Sequence, residues 1–130
     1  MEITTWHETL GKPVTILQVN GDLTASEPLE THARQAFADG ARDIVLDLSH
    51  VNYISSAGLR VIHTIYLLLR GADPQDEETA TRGIARGTYK SPHLKLVNPS
   101  KNGLKALTTS GYDIFLDIID SVPEAVASFK

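Results

Sequence analysis

Apolar positions along this chain switch between two periods, and the switches mark its elements. Val14-Thr15-Ile16-Leu17-Gln18-Val19 is rich in β-branched residues and stops at Asn20-Gly21, so it predicts a strand. A weaker strand is expected over Ile3 to Trp6, joined to it through Gly11-Lys12-Pro13. After a loop, Gly21-Asp22-Leu23-Thr24-Ala25, Ser26 is placed to cap a helix with Pro28 in its first turn. Leu29, Ala33, Ala36 and Phe37 share one face of that helix, and Gly40 stops it. Ile44-Val45-Leu46-Asp47-Leu48 is a nearly continuous apolar run, the pattern of a buried parallel strand.

A turn from Ser49 to Ile54 leads to a second helix, about Ala57 to Arg70, ended by Gly71 and Pro74. Leu94-Lys95-Leu96-Val97 predicts a further strand, and Asn98-Pro99-Ser100 opens a helix with Leu104 and Leu107 as its apolar positions. Ile114-Phe115-Leu116 is expected as the last strand. Ser121-Val122-Pro123-Glu124 has the form of a capping box, and the final helix buries Val122, Ala125, Val126 and Phe129. Strand and helix alternate from Val14 onward with short connections. This predicts one α/β domain over residues 1–130, with a mostly parallel sheet and crossover helices. The first strand breaks the alternation and is free to pair antiparallel. Residues 71–93 are the exception: a long polar stretch, acidic at Asp73, Asp76, Glu77 and Glu78, then basic at Arg82, Arg86 and Lys90. Ile84 and Tyr89 are its large apolar groups, and the expectation is a solvated, mobile insertion.

Composition narrows the function classes. With 42% apolar and 22% charged residues the chain is globular, and 130 residues suffice for one core without staples. It has no cysteine, which removes disulfides, thiolate nucleophiles and cysteine-based zinc sites, and fits a cytoplasmic location. A net charge of -4 argues against nucleic acid as the partner. No apolar run is long enough for a membrane span, and Met1 to Leu10 lacks the apolar core of a signal peptide. The five histidines (His7, His32, His50, His63 and His93) show no paired ligand spacing, and no metal or cofactor is expected.

The informative stretch is Asp47 to Leu59: a buried strand end, then Ser55-Ser56, then the small pair Ala57-Gly58. Small residues let the backbone turn tightly and let the helix approach the sheet. Either serine can cap the helix. On that helix Gly58, Val61, Ile62, Ile65, Leu68 and Leu69 form the core stripe, with Leu59 and Tyr66 at its margin. Leu67 lies nearly opposite, flanked by Arg60, His63 and Arg70, which marks an outer patch beside the serine turn for a partner. A phosphate on Ser56 would sit where free N–H groups and the helix dipole favour negative charge. It would add about -1.5 to -2 charges without unfolding the domain. Ser56, His63 and Asp47 invite a triad reading, but Ile-Ser-Ser-Ala-Gly is not a nucleophile elbow, and His63 falls on the outer side of the same helix. A phosphoacceptor role for Asp47 would need an acidic metal-holding cluster, for which Asp22 stands alone. The chain is therefore expected to bind a protein and not to be an enzyme.

The segment Asp-Leu-Ser-x-Val-x-Tyr-Ile-Ser-Ser-Ala-Gly-Leu at Asp47–Leu59 resembles the signature of STAS domains of the bacterial anti-sigma factor antagonist type. Gly21-Asp22-Leu23-Thr24 and the Leu94–Ser100 stretch, with Ser110-Gly111 further on, extend the resemblance over the chain apart from residues 71–93. The resemblance implies a mixed sheet of about five strands with about four packed helices. It also implies a partner, an anti-sigma factor that is a serine kinase, and a serine phosphatase that resets the cycle. Ser56 matches the phosphorylated position, and Ser55 stands where many antagonists carry Asp, leaving Ser55 as a second candidate acceptor. The partner surface implied is Asp22, Thr24, Ser55, Ser56, Ala57, Gly58, Leu59, Arg60, His63 and Leu67. The alternative within the same family is an accessory or scaffold subunit of a transporter or signalling assembly, with no phosphorylation.

Overall fold

The apolar runs pair into a single sheet in a computed structural model that describes residues 1–129; Lys130, the last residue of the expected domain, lies outside the described residues. Among the described residues the sheet has five strands in the order β1-β2-β3-β4-β5: β1 (Glu2–Leu10), β2 (Lys12–Asn20), β3 (Ile44–His50), β4 (Leu94–Val97) and β5 (Asp117–Ile119). β1 pairs antiparallel with β2, Trp6 opposite Ile16, across a turn at Gly11 whose φ of 87° suits glycine. The remaining neighbours are parallel, Leu17 beside Leu46 and Leu46 beside Leu96. This is the mixed sheet expected from the sequence. The first strand is longer than Ile3–Trp6, because its alternation continues with polar residues on an exposed edge.

The helices are α1 (Glu27–Ala38), α2 (Ser56–Gly71), α3 (Pro74–Arg86), α4 (Lys101–Thr109) and α5 (Val122–Ser128). One face of the sheet carries Leu17, Val19, Ile44, Leu46, Leu94 and Leu96 against Leu29 and Ala33 of α1 and against the buried side of α2. The other carries Val14, Ile16, Val45 and Val97 against Ala125, Val126 and Phe129 at the end of the chain. Each such side chain is fully or almost fully buried, an environment that stabilises by roughly 1.5–3 kcal/mol per large aliphatic group. Asp47 sits within β3, buried, accepting from Gln18 Nε2 at 3.1 Å and Ser49 N at 3.0 Å, so its carboxylate serves the strand end.

Four local expectations are corrected. The stretch 71–93 is not a loop: Pro74–Arg86 is a helix, begun by Asp73, whose side chain accepts from Gln75 N and Asp76 N, and stopped by Gly87 at φ 69°. Its inner side consists of Asp76, Ala80 and Gly83, small or polar residues that hydropathy does not register, and Tyr89 beyond it is buried. The last strand lies three residues later than Ile114-Phe115-Leu116. Gly111 takes a left-handed conformation and Tyr112–Ile114 forms a 3₁₀ turn, so Asp117–Ile119 pairs with β4 instead. Ser26 makes no side-chain cap; the start of α1 relies on Pro28 and on Glu27 and Glu30 in the first turn. Leu104 is half-exposed on α4, leaving Leu107 as that helix's deep anchor.

Candidate functional site: the serine turn at the start of α2

β3 ends at His50 and the chain then runs beside the Gly21–Ala25 loop. Leu23 and Ile54 form an isolated parallel bridge, with Leu23 N donating to Tyr53 O at 2.9 Å and Ser55 N donating to Leu23 O at 3.0 Å. Both Leu23 and Ile54 are buried, so the two loops share one hydrophobic anchor. This places the exposed Asp22 and Thr24 in the loop sewn to the serine turn. On the opposite flank Ser100 Oγ donates to Asn52 O at 2.9 Å while accepting from Gly103 N, tying the start of α4 to the same turn.

The two serines differ. Ser55 is extended (φ -84°, ψ 176°) and is the N-cap of α2. Its Oγ accepts from Gly58 N at 3.2 Å and donates to Leu23 O at 3.3 Å. Ser56 is the first helical residue, and it is exposed. Its hydroxyl stands where a helix leaves backbone N–H groups unmatched and where the dipole is positive. α2 carries no acidic residue in its first turn.

Gly58 explains the small pair. A Cβ built there would lie 2.4 Å from Leu23 O and 2.9 Å from Leu23 Cγ, inside any permitted contact, so glycine alone lets α2 pass this close to the Leu23 loop. From this start α2 buries Val61, Ile62, Ile65, Tyr66 and Leu69; Leu68, expected in the core stripe, is half-buried, and Tyr66, expected at its margin, is buried. Arg60, His63 and Leu67 face outward, Leu67 with 44% of its surface exposed. Leu59 is half-buried, and its carbonyl accepts from Tyr112 Oη at 2.9 Å. The His63 ring lies 6.1 Å from that of Tyr112 and 6.3 Å from that of Phe115, on the side of α2 that meets the 3₁₀ turn.

The expected residues thus fall into two groups. Asp22, Thr24, Ser55, Ser56, Ala57 and Gly58 surround the turn; Arg60, His63 and Leu67 follow along the outer side of α2, and Leu59, also expected, is half-buried between the two groups. Sequence reasoning missed a third part. Tyr53, 52% exposed, lines a shallow groove between the turn and α4 with Leu59, Asn102, Lys105 and Ala106. Tyr53 was visible inside the signature segment; the α4 residues were not, because tertiary contacts, the Ser100–Asn52 bond and the close approach of Gly103 to Ile54, bring them there.

Fold and turn together describe an α/β domain whose sheet presents a helix start with a capping serine followed by an exposed one. Residues 9–74 match the STAS domain, and the chain belongs to the STAS domain family. No curated protein matches it. Among solved structures it is similar to an anti-sigma factor antagonist from Mycobacterium paratuberculosis, at 20% identity and a TM-score of 0.71, covering 98% of this chain and 94% of that one. It is also similar to the Bacillus cell fate determinant SpoIIAA in its phosphorylated form (17% identity, TM-score 0.61, 98% and 100% covered). Unphosphorylated SpoIIAA, described as an anti-sigma factor antagonist, matches at 16% identity and a TM-score of 0.57, with 95% and 94% covered. At these identities the likeness establishes the fold. Among the described residues no helix is long and apolar enough to cross a membrane.

Proposed function

We propose that this protein is an anti-sigma factor antagonist. In its unphosphorylated form it binds an anti-sigma factor that is also a serine kinase, and phosphorylation of Ser56 releases it. The observation that carries this reading is the division of labour in the turn. Ser55 is held by two hydrogen bonds as the cap, whereas Ser56 is exposed at the first position of α2. Ser56 is therefore the acceptor favoured over Ser55. The partner contacts the loop around Asp22 and Thr24, the turn, and the outer side of α2 at Arg60, His63 and Leu67. A phosphate at Ser56 meets the helix dipole favourably, so the fold persists. The same charge repels an acidic partner surface, where a like-charge clash costs several kcal/mol and each 1.4 is a factor of ten in affinity. A serine phosphatase restores the binding form.

The test is a pair of baits, Ser56→Ala and Ser56→Asp, with captured proteins identified by mass spectrometry. The proposal expects an anti-sigma serine kinase on the Ala bait and its loss from the Asp bait. Equal capture of one partner by both baits, such as a transporter ATPase, contradicts it and leaves a scaffold role on the same fold.

A further inference from the structure

We propose that the open cavity between α2, α3 and the 3₁₀ turn is a binding site for a small aromatic acid, with its ring among Tyr66, Tyr89 and Phe115 and its carboxylate on Arg70. The cavity measures about 190 Å³ and its wall includes those four residues, His63, and, at the rim, Ile84 and Ile114. It is separate from the serine turn and does not depend on the function proposed above.

Size and wall chemistry select the ring. A dry apolar cavity of about 150 Å³ accommodates benzene, so this one has room for a benzene ring with a one-carbon substituent. Tyr66 and Phe115 have centroids 4.9 Å apart at 52°, and Tyr66 and Tyr89 are 6.3 Å apart at 58°. Tilted rings of this kind offer both edges and faces to a further ring. Ile84 and Ile114 are 51% and 60% exposed, so apolar surface is left at the mouth for a ligand to cover.

Charge selects the acid. Arg70 and His63 line the cavity, and among the described residues no carboxylate lines it; Glu77 stands behind Arg70. The Arg70 guanidinium is mostly buried. Its Nε lies 3.1 Å from Glu77 Oε1 as an ion pair, but without hydrogen-bond alignment to any acceptor, and its Nη1 reaches Tyr66 Oη only at 3.4 Å. A buried donor without an aligned acceptor is costly, and a guanidinium engages a carboxylate through two parallel N–H groups. A ligand carboxylate takes that paired contact on the part of the guanidinium that lines the cavity, while Nε stays covered against Glu77.

The experiment is an NMR titration of the whole protein with benzoate and with benzyl alcohol, a neutral ring of the same size, following the methyl groups of Ile84 and Ile114. Benzoate is expected to shift both saturably and to bind at least about tenfold more tightly than benzyl alcohol. Arg70→Met is expected to remove that tenfold preference while leaving benzyl alcohol within about twofold. Ile84→Trp, which fills the mouth from a half-exposed position, is expected to block both. Absence of a saturable benzoate shift overturns the site. Equal affinity of the wild type for the two rings overturns the assignment to Arg70, a comparison that needs no variant to fold.

Discussion

The two serines of the turn differ by one backbone position and by what their hydroxyls touch. Ser55 Oγ satisfies Gly58 N, one of the donors the helix start would otherwise leave open, so Ser55→Ala is expected to lower stability by about 1 kcal/mol. Ser56 is exposed, and Ser56→Ala is expected to stay within about 0.5 kcal/mol of wild type. Urea unfolding of the two variants distinguishes them; the reverse order would mean that Ser56 is the cap. Gly58→Ala sets the upper end of the same series. Its Cβ meets backbone at 2.4 Å, which cannot yield as a flexible side chain would, so a loss of about 1–3 kcal/mol or more is expected. A Gly58→Ala protein as stable as wild type would show that α2 can stand off from the Leu23 loop.

At the scale of elements, α3 is joined to the sheet through His93. Its Nδ1 lies 2.8 Å from Asp43 Oδ1 and its Nε2 lies 2.8 Å from Asp73 Oδ2, the carboxylate that also caps α3. The hydrogen bond to Asp43 raises the His93 pKa above its ordinary 6.5; burial opposes this and Asp73 adds to it. For Asp43, burial acts upward, but the hydrogen bonds from His93 and Lys12 outweigh it and hold the carboxyl below its ordinary 3.8. The hydrogen bond with His93 also lowers Asp73. A folded histidine pKa above the unfolded one means that this stability is fully present below about pH 6.5 and is lost as pH rises through the raised value. The two depressed carboxyls contribute above about pH 3.8 and lose their part as pH falls through their lowered values. Between those limits the bridge is intact. Thermal melts from pH 6 to 9 are therefore expected to fall more steeply for wild type than for His93→Gln, and parallel curves would contradict a charged His93.

The same region shows what the sequence made legible. The strands β2, β3 and β4 and the helix α2 were readable because their apolar runs or stripes are buried at Leu17, Leu46, Leu96 and Ile62, with Leu68 and Tyr66 exchanging places at the edge of the α2 stripe. α3 was not, because hydropathy sees no stripe in Asp76, Ala80 and Gly83. Its capping residues did carry a signal: Asp73-Pro74 at the start, acids in the first turn and Gly87 at the end. Asp76 is buried by a tertiary partner, Tyr89 Oη at 2.8 Å, thirteen residues away. β5 was misplaced because Phe115 and Leu116 are apolar for a different reason: Phe115 packs in the aromatic cluster around Tyr66, and Leu116 enters the core. At the site, the serines and Gly58 were legible from one segment, whereas the groove at Tyr53 and Lys105 needed the docking of α4.

At the scale of the whole molecule, the proposed switch requires that charge at one atom of a small surface change a binding equilibrium without altering the fold. The core lies on both faces of the sheet, while Ser56 is exposed at the start of α2, so phosphate there leaves both hydrophobic clusters untouched. The direct measurement is calorimetric titration of the protein captured by the Ser56→Ala bait against this chain carrying serine or phosphoserine at position 56, with a thermal melt of each form. The proposed switch makes the phosphorylated form bind at least about a hundredfold more weakly, from a clash of several kcal/mol, with melting unchanged within a few degrees. Equal affinities, or a phosphorylated chain that no longer folds, would contradict it.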